Sequence, residues 1–287
     1  MSLPLQNKIV TIVGLGRSGI ASARLALKLG STVKVSDSAR LVKIQQALAS
    51  AGLKNKVSVE GAQHTKEFIQ SSDLLVLSPG VRIDAPVVLW AKEKGIPVLG
   101  EIEFAWQYCP CDVIAVTGSN GKTTTTTLIA EILKAAGRET CLCGNIGSPF
   151  SKYVLGLKKA DIVALEVSSF QLETVETFKP RVAVFLNFTQ NHLDRHADMK
   201  EYFTAKSRIF MNQTSEDFAV LNFEEPLHHE LAKTLKSQVR YYNEPGHCDA
   251  SITNPNFLAA MSACGALGIS ADIAKKVFAT FKGVEHR

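Results

Sequence analysis

The hydrophobic positions of this chain fall into short, continuously apolar runs that alternate with longer segments of helical periodicity. Residues 8–13 are a largely apolar run, residues 31–36 are also predicted to form a strand, and the segment between them is rich in alanine and leucine at helical spacing. Apolar runs of this length predict strands that are buried on both faces. Strands that alternate with helices predict an α/β fold built on a parallel sheet.

The alternation continues through the first hundred residues. Further strands are predicted near residues 56–59, 73–77 and 97–99. Helices are expected at residues 41–51, 65–70 and 85–94. Since ligands of open parallel sheets bind beyond the carboxyl ends of the strands, candidate site residues should lie in the turns that follow them.

A second series of elements occupies the rest of the chain. Strands are predicted at residues 112–117, 161–165 and 181–186, and helices at residues 123–136 and after Asp198. A length of 287 residues exceeds the usual size of one domain. We therefore expect two domains, each with its own core.

The turn at residues 116–124, Val-Thr-Gly-Ser-Asn-Gly-Lys-Thr-Thr, indicates a phosphate-binding loop. It joins an apolar strand to the start of a helix, where unpaired backbone amides and the positive end of the helix dipole favour phosphate oxygens. Lys122 can neutralise the terminal phosphates of a nucleotide, and the Thr123 hydroxyl can bind its Mg²⁺ ion. The residues expected to bind the nucleotide here are Gly118, Ser119, Asn120, Gly121, Lys122, Thr123 and Thr124.

The first domain carries a different glycine pattern. Gly14-Leu-Gly-Arg-Ser-Gly19 follows the first strand, and Asp37 ends the second strand about 20 residues further on, as in dinucleotide-binding sites. Ser78-Pro-Gly80 forms a second turn at the same predicted edge. Taken alone, the pattern suggests a nicotinamide enzyme, while the simpler alternative is that these glycines serve only tight turns.

Charged residues follow two strands of the second series. Glu166 ends one strand beside the phosphate loop, where a carboxylate could bind the Mg²⁺ of the nucleotide. The next strand is followed by His192, Asp194, Arg195 and His196. Such density at the ligand edge favours a functional cluster over structural histidines. Lys206, in the following helix, is expected from its chemistry alone to be solvated.

Composition and charge change this picture little. Hydrophobic residues make up 46% of the chain and charged residues 21%, and the formal net charge is +5. The basic residues are interspersed with acids, which disfavours nucleic-acid binding and favours an anionic small molecule. No stretch reaches membrane-spanning length and the N-terminus lacks secretory features, so we expect a cytoplasmic protein without a membrane partner.

The six cysteines include two Cys-x-Cys pairs, Cys109/Cys111 and Cys141/Cys143. Structural zinc sites favour longer spacing, and disulfides are rare in the cytoplasm. Buried reduced thiols are therefore the simpler interpretation, with zinc as the alternative.

Together these motifs resemble the Mur ligases of peptidoglycan precursor synthesis over nearly the whole chain. Two of them, Gly100-Glu-Ile-Glu103 and residues 165–173, favour the branch that adds D-glutamate. The remaining matching segments are residues 14–19, 78–80, 117–124, 144–147, 192–195, 205–209 and 286–287. The resemblance implies a Rossmann-like N-terminal domain over residues 1–108, followed by a P-loop-type α/β ATP-binding central domain over residues 109–287.

The resemblance assigns roles to individual residues. It implies that the first domain holds the uridine diphosphate of the substrate, at Arg17, Ser18, Asp37, Ser38 and Gly80. It places Asn145, Ser168 and His192 near the muramoyl-alanine end or its metal. Two Mg²⁺ ions are implied, one held by Thr123 and Glu166 and the other by His192 and a carbamylated Lys206. Asn256 and Arg287 join the residues expected to bind ATP.

The implied reaction joins D-glutamate to UDP-N-acetylmuramoyl-L-alanine at the expense of ATP. The alanyl carboxylate would attack the γ-phosphate, and the D-glutamate amine would then displace phosphate from the acyl phosphate. Lys122, His192 and Lys206 are the catalytic residues in this scheme. We expect a monomer.

Three features depart from the family pattern. Asn191 stands where an acid usually precedes the histidine, and residues 246–256 match a conserved asparagine signature only at Asn256. The chain stops at Arg287, where the family continues into a third domain that binds the incoming amino acid. From sequence we therefore expect substrate binding without turnover, and a nicotinamide oxidoreductase or a non-catalytic nucleotide-binding module remain the alternatives.

Overall fold

The computed structural model describes residues 3–191, 195–246 and 252–283. The chain forms two compact units. The first unit comprises Met1–Cys109 together with Ser148–Gly156 and Glu173–Thr177. The second unit comprises Pro110–Gly147, Leu157–Leu172 and Phe178–Arg287. The two short segments of the first unit thus come from the part of the sequence that we had assigned to the second domain.

The first unit is built on a parallel sheet of five strands in the order β3-β2-β1-β4-β5. The strands are β1 (Ile9–Val13), β2 (Thr32–Asp37), β3 (Ser58–Gly61), β4 (Leu74–Leu77) and β5 (Val98–Gly100). The helices are α1 (Arg17–Lys28), α2 (Leu41–Ser50), α3 (Lys66–Gln70), α4 (Pro86–Glu93) and α5 (Glu101–Trp106). Burial of β1 and β4 on both faces explains their continuous apolar sequence.

The second unit is built on a parallel sheet of six strands in the order β11-β10-β9-β6-β8-β7. The strands are β6 (Asp112–Thr117), β7 (Thr140–Gly144), β8 (Ile162–Glu166), β9 (Val182–Phe185), β10 (Phe218–Asn222) and β11 (Gln238–Tyr242). The helices are α6 (Lys122–Ala135), α7 (Ser169–Leu172), α8 (Met199–Ser207), α9 (Pro226–Ala232), α10 (Pro255–Ala266) and α11 (Ala271–Thr280).

The order of the second sheet places the phosphate-loop strand β6 between β8 and β9. Because all three strands are parallel, the residues that follow them meet at one edge of the sheet. Helices α6 and α10 pack over this sheet, and their side chains Leu128, Ile132 and Phe257 are buried in its core. The fold therefore brings the turn after β6 together with Glu166 and the segment after β9.

The predicted α/β class with two parallel sheets is confirmed. The predicted strands at 112–117, 161–165 and 181–186 agree with β6, β8 and β9 to within one residue at each end. Strands β7, β10 and β11 and helices α5, α7, α9, α10 and α11 are not predicted from the sequence. Within the described residues, no helix combines the length and apolar character needed to cross a bilayer.

Candidate functional site

The turn between β6 and α6 requires glycine at two positions. Gly121 immediately precedes α6 with a φ of 80°, and a Cβ there would lie 2.2 Å from Oδ1 of Asn256. Gly118 has a φ of 153°, and its Cβ would lie 2.9 Å from Cβ of Leu186. The positive φ disfavours a side chain at both positions, and at Gly118 the contact with Cβ of Leu186 also leaves no space for one. The loop is thus closely packed around a helix N-terminus that can receive phosphate.

The segment after β9 holds this loop in shape. The Ser119 hydroxyl donates to the Thr189 carbonyl oxygen at 3.0 Å and accepts from the Thr189 amide at 3.0 Å. The Asn120 amide donates to Oδ1 of Asn187 at 2.8 Å. These bonds fix the loop backbone before any ligand binds, which lowers the entropic cost of binding. Sequence analysis had missed Asn187 and Thr189, although their position directly after a buried strand was a usable signal.

Lys122 folds back over the loop. Its Nζ donates to the carbonyl oxygens of Gly118 and Ser119, each at 3.0 Å. The ammonium group therefore lies against the loop backbone, close to the amides that would bind phosphate. Thr124, in the first turn of α6, is half-buried.

Glu166 connects the loop to a neighbouring strand. It ends β8 and is only 2% exposed. Its Oε2 accepts from the Thr123 hydroxyl at 2.8 Å, and its Oε1 accepts from Nδ2 of Asn145 at 2.8 Å. The structure therefore brings together Thr123, Asn145 and Glu166, three predicted site residues from different parts of the sequence. The hydroxyl oxygen of Thr123 and the carboxylate oxygens of Glu166 are ligand types that suit Mg²⁺, and Asn145 orients the carboxylate.

Lys206 is buried in the second unit. It is 1% exposed, and its Nζ donates to the Gly118 carbonyl oxygen at 2.8 Å and lies 4.5 Å from the centre of the Tyr202 ring. Burial, and secondarily the positive charge of Lys122, lowers the pKa of Lys206 to about 7. The expectation from sequence chemistry alone, that the Lys206 side chain is solvated, is therefore wrong. Two amines instead converge on one carbonyl oxygen.

The remaining predicted residues of the second unit lie around this loop or outside the described chain. Oδ1 of Asn256 accepts from the Thr125 hydroxyl at 3.3 Å, which places Asn256 beside Gly121. The Ser168 amide and hydroxyl donate to Oε1 of Gln171 at 2.9 and 3.1 Å. His192, Asp194 and Arg287 lie outside the described residues.

Two other members of the predicted charged cluster make structural contacts. His196 is 1% exposed, and its Nε2 lies 3.0 Å from the Ser169 hydroxyl. The guanidinium carbon of Arg195 lies 4.8 Å from the centre of the Phe170 ring. Both residues thus pack against α7.

The predicted substrate residues of the first unit gather at the carboxyl edge of its sheet. Asp37 accepts from the Leu15 amide at 2.6 Å and from the Ala39 amide at 2.7 Å, so its carboxylate ties together the turns after β1 and β2. The Ser78 hydroxyl donates to the Gly14 carbonyl oxygen at 2.7 Å. Around these turns, Ser18 is half-buried and Arg17, Ser38 and Gly80 are exposed.

Comparison with known families agrees with this architecture. Residues 8–100 match the Mur ligase MurD-like N-terminal domain, and residues 116–260 match the Mur ligase middle domain. A UDP-N-acetylmuramoylalanine–D-glutamate ligase of Koribacter versatilis is 39% identical over 99% of this chain and 69% of its own length. The corresponding ligase of Geotalea daltonii is 44% identical over 83% of this chain and 52% of its own length.

Solved structures are similar in fold. The UDP-N-acetylmuramate:L-alanyl-gamma-D-glutamyl-meso-diaminopimelate ligase from Neisseria meningitides has a TM-score of 0.65 at 19% identity, covering 97% of this chain and 99% of that one. UDP-N-acetylmuramate–alanine ligase MurC from Thermotoga maritima has a TM-score of 0.58 at 19% identity, covering 97% of this chain and 69% of that one. On the two family matches and the identity to curated relatives, the chain belongs to the Mur ligase family.

Proposed function

We propose that this chain provides the substrate-binding and ATP-binding units of a ligase that joins D-glutamate to UDP-N-acetylmuramoyl-L-alanine. Relatives at 39% and 44% identity carry that name, and Mur ligases form amide bonds at the expense of ATP. The main observation in support of the proposal is the hydrogen bond between Thr123 and Glu166, next to a glycine-rich loop that bears Lys122. An enzyme that transfers the γ-phosphoryl group needs these groups in one place.

The first unit supports the substrate half of the proposal. Asp37, Ser78 and Gly14 connect three consecutive turns at one edge of the sheet, beside the exposed Arg17. Backbone amides at the start of α1 and a nearby guanidinium suit a diphosphate. We assign the uridine diphosphate of the substrate to this edge. We also propose that the two domains extend over residues 1–108 and 109–287, with residues 148–156 and 173–177 packed into the first unit.

The second unit has donors that fit a nucleotide-bound metal ion. The Thr123 hydroxyl lies 2.8 Å from Oε2 of Glu166, and Nδ2 of Asn145 donates to Oε1 of the same carboxylate at 2.8 Å. The ammonium groups of Lys122 and Lys206 instead bond the Gly118 carbonyl oxygen. Thr123 and Glu166 would hold Mg²⁺ there. When bound, Mg²⁺ neutralises charge on the phosphate oxygens.

Lys206 would supply the second metal position. With its pKa lowered to about 7, a large fraction of the amine is neutral at physiological pH. A neutral amine can add to CO₂ to give a carbamate, with release of one proton. The product carries a negative charge, so it would replace the repulsion between Lys206 and Lys122 by attraction and could bind Mg²⁺ together with His192.

The residues of this chain act mainly by positioning and charge. A carboxylate oxygen of the alanyl group forms a bond to the γ-phosphorus of ATP, and the bond to the leaving ADP breaks. Lys122 and the loop amides offset the negative charge that the phosphoryl group bears during transfer. The D-glutamate amine then forms the amide bond, phosphate leaves, and the amine loses a proton. We propose that the protein acts in the cytoplasm, because ATP and the nucleotide-activated substrate are cytoplasmic. We also propose that it is a monomer, as expected from the family resemblance.

Calorimetric titration of this chain tests the binding part of the proposal. We expect UDP-N-acetylmuramoyl-L-alanine and Mg²⁺ with a non-hydrolysable ATP analogue each to bind at one site, and reduced nicotinamide dinucleotides not to bind. Saturable nicotinamide binding that UDP-N-acetylmuramoyl-L-alanine displaces would favour an oxidoreductase instead. Ligation is measured as phosphate release that depends on D-glutamate, in the complete gene product that contains these residues. Release that is independent of D-glutamate would contradict the proposed acceptor.

A further inference from the structure

The first unit contains a cavity at the end of its sheet opposite to the candidate substrate turns. Its volume is about 590 Å³. It is lined by the C-terminal turns of α1 and α2 and by the residues just before β3. Since helices of a parallel α/β sheet begin at the carboxyl edge of the strands and end at the amino edge, this cavity lies at the amino edge. It is therefore separate from the turns around Gly14, Asp37 and Gly80.

The lining combines three cations with an apolar floor. The cations are Arg24, Lys28 and Lys56, and the described lining contains no acidic side chain. Leu27 and Leu53 supply apolar surface between them. A cavity of this size can hold a small organic molecule, which commonly needs roughly 300–1,000 Å³.

Arg24 bonds the Ala51 carbonyl oxygen and Lys28 lies in the last turn of α1, where a cation is favourable, but no acid of the lining balances their charge. Arg24 and Lys28 lie four residues apart on α1, where like charges repel each other. Lys28 and Lys56 form no ion pair or side-chain hydrogen bond with any residue of the described chain, and both are exposed. An anion between them would remove the repulsion.

The C-terminal ends of α1 and α2 carry negative partial charge, and hydrogen bonds at the end of α2 reduce its effect on an anion. Nη2 of Arg24 donates to the Ala51 carbonyl oxygen at 2.6 Å, and the Gly52 and Leu53 amides donate to the carbonyl oxygens of Ala49 and Leu48 at 3.0 and 2.8 Å. The terminal carbonyl groups of α2 are thus already hydrogen-bonded. Their partial negative charge is offset before a ligand arrives.

The net charge of the surrounding sequence also favours an anionic ligand. Residues 1–59 contain nine Lys or Arg and one acid, Asp37, which gives a formal net charge of +8, whereas the whole chain carries +5. The even distribution of charge that sequence analysis assumed is therefore wrong. Asp37 lies at the other edge of the sheet, and Asp73, at the same edge as the cavity, is paired with Lys8 at 3.3 Å. The charges of Lys28 and Lys56 are therefore not balanced by an acid of the cavity lining.

We propose that this cavity binds a small organic phosphate whose apolar part rests on Leu27 and Leu53 and whose phosphate group contacts Lys28, Lys56 and Arg24. A phosphate monoester carries close to two negative charges at neutral pH, which suits three cations without an acid. Apolar surface beside the cations separates this ligand class from inorganic phosphate.

The test uses 1-naphthyl phosphate with the 287-residue chain, observed through the NMR amide signals of Gly52 and Leu53. We expect saturable shifts of both signals, and much weaker shifts with either inorganic phosphate or 1-naphthol. Signals of Gly118 and Gly121 report separately on the phosphate loop, so binding there cannot be mistaken for binding in the cavity. Equal shifts with 1-naphthol would show a merely apolar cavity and overturn the proposal.

Matched charge variants complete the test. The double variant Lys28→Gln/Lys56→Gln should raise the Kd for 1-naphthyl phosphate about tenfold or more, because two charge-assisted contacts are lost. The double variant Lys43→Gln/Lys92→Gln removes the same charge from exposed positions of the same unit outside the cavity, and should change the Kd less than about twofold. Equal effects in the two variants would refute a specific site. Binding to phosphatidylglycerol vesicles through the same lysines, without binding of 1-naphthyl phosphate, would assign the surface to membranes and refute the proposal.

Discussion

Two amines share the carbonyl oxygen of Gly118. Nζ of Lys122 lies 3.0 Å from it and Nζ of Lys206 lies 2.8 Å from it. Protonation of both amines at such short range raises the free energy of the unliganded site, which, after burial, is one cause of the lowered pKa of Lys206. An anion on the loop lowers that free energy. The arrangement therefore favours phosphate binding before any contact with the rest of a nucleotide is considered.

Lys122→Ala should weaken the binding of an ATP analogue with Mg²⁺ by about 10- to 100-fold, the usual effect of losing a hydrogen bond to a charged group. Affinity for UDP-N-acetylmuramoyl-L-alanine should stay within about threefold, because its proposed site lies in the other unit. Both are measured by calorimetry. Lys134→Ala, at the far end of α6, is the matched control. An unchanged affinity for the analogue in Lys122→Ala would remove Lys122 from the site.

The proposed carbamylation of Lys206 can be tested directly. In buffer with ¹³C-bicarbonate, a carbamate signal should appear in the ¹³C NMR spectrum and grow between about pH 6 and pH 8, because the pKa of about 7 sets the fraction of neutral amine. Lys206→Arg should lack that signal, and Lys200→Arg, in the first turn of the same helix, should keep it. The same signal in Lys206→Arg would exclude this residue.

His228 makes stability depend on pH. The imidazole is completely buried, its Nδ1 accepts from the Asn222 amide at 3.1 Å, and burial lowers the pKa to about 4 from 6.5. A lowered folded-state pKa means that the unfolded chain binds the proton more readily. The contribution to stability is therefore present above about pH 6.5 and is lost as the pH falls towards 4.

Between pH 7 and pH 5, this group should lower the free energy of unfolding by roughly 1–2 kcal/mol. Urea titrations of the wild type and of His228→Gln measure the difference. We expect the variant to be less stable at pH 7 and to lose less stability on acidification. A parallel loss in both proteins would show that another group is responsible.

Helix α5 anchors two segments of the first unit that are distant from it in the sequence. Oε1 of Glu101 accepts from the amide and hydroxyl of Ser151 at 2.7 and 2.5 Å, and burial raises the pKa of Glu101. Glu103 accepts from the amides of Glu176 and Thr177 at 2.9 and 3.0 Å. The Glu-Ile-Glu motif thus serves the architecture of the first unit.

Glu103→Gln should reduce the free energy of unfolding by about 2 kcal/mol, because charge-assisted bonds to a buried carboxylate are lost. It should also speed hydrogen exchange at the amides of Glu176 and Thr177. Glu93→Gln removes an acid from an exposed ion pair with Lys66 and should cost less than about 1 kcal/mol. Unchanged exchange at Thr177 would show that Glu103 does not hold this segment.

The elements that the sequence predicts best are the strands that are buried on both faces. Strands β6, β8 and β9 are buried on both faces, so their apolar runs identify them without knowledge of the fold. Strand β11 is an edge strand whose alternate residues are exposed, and its polar pattern gave no comparable signal. Strand β10 was missed although its apolar run was equally clear.

Contacts between distant residues could not be predicted from periodicity. The pairing of Thr123 with Glu166 followed from the rule that ligands gather at the carboxyl edge of parallel strands. Nothing in the local sequence of α8 indicates that Lys206 is buried, and nothing in residues 173–177 indicates that they join the first unit. Such features depend on tertiary packing, which single-sequence patterns do not contain.

The two units of the chain differ in charge and in the ligand that we propose for each. The basic segment before Glu60 belongs to the first unit, and the phosphate loop belongs to the second. Each unit places glycine-rich turns at the carboxyl edge of its own sheet. Because the turns proposed for the uridine diphosphate and the phosphate loop lie in different units, we expect UDP and an ATP analogue to bind independently in calorimetric titrations of this chain. A Kd for either ligand that changes more than about threefold in the presence of the other would contradict that expectation.

The central claim is that the loop after β6 binds the phosphate groups of ATP. A crystal structure of this chain with Mg²⁺ and a non-hydrolysable ATP analogue tests it directly. We predict triphosphate oxygens within hydrogen-bond distance of the Gly121 and Lys122 amides, with the metal bound by the Thr123 hydroxyl and Glu166. A loop without nucleotide at saturating analogue, with Thr123 still hydrogen-bonded to Glu166, would contradict the assignment.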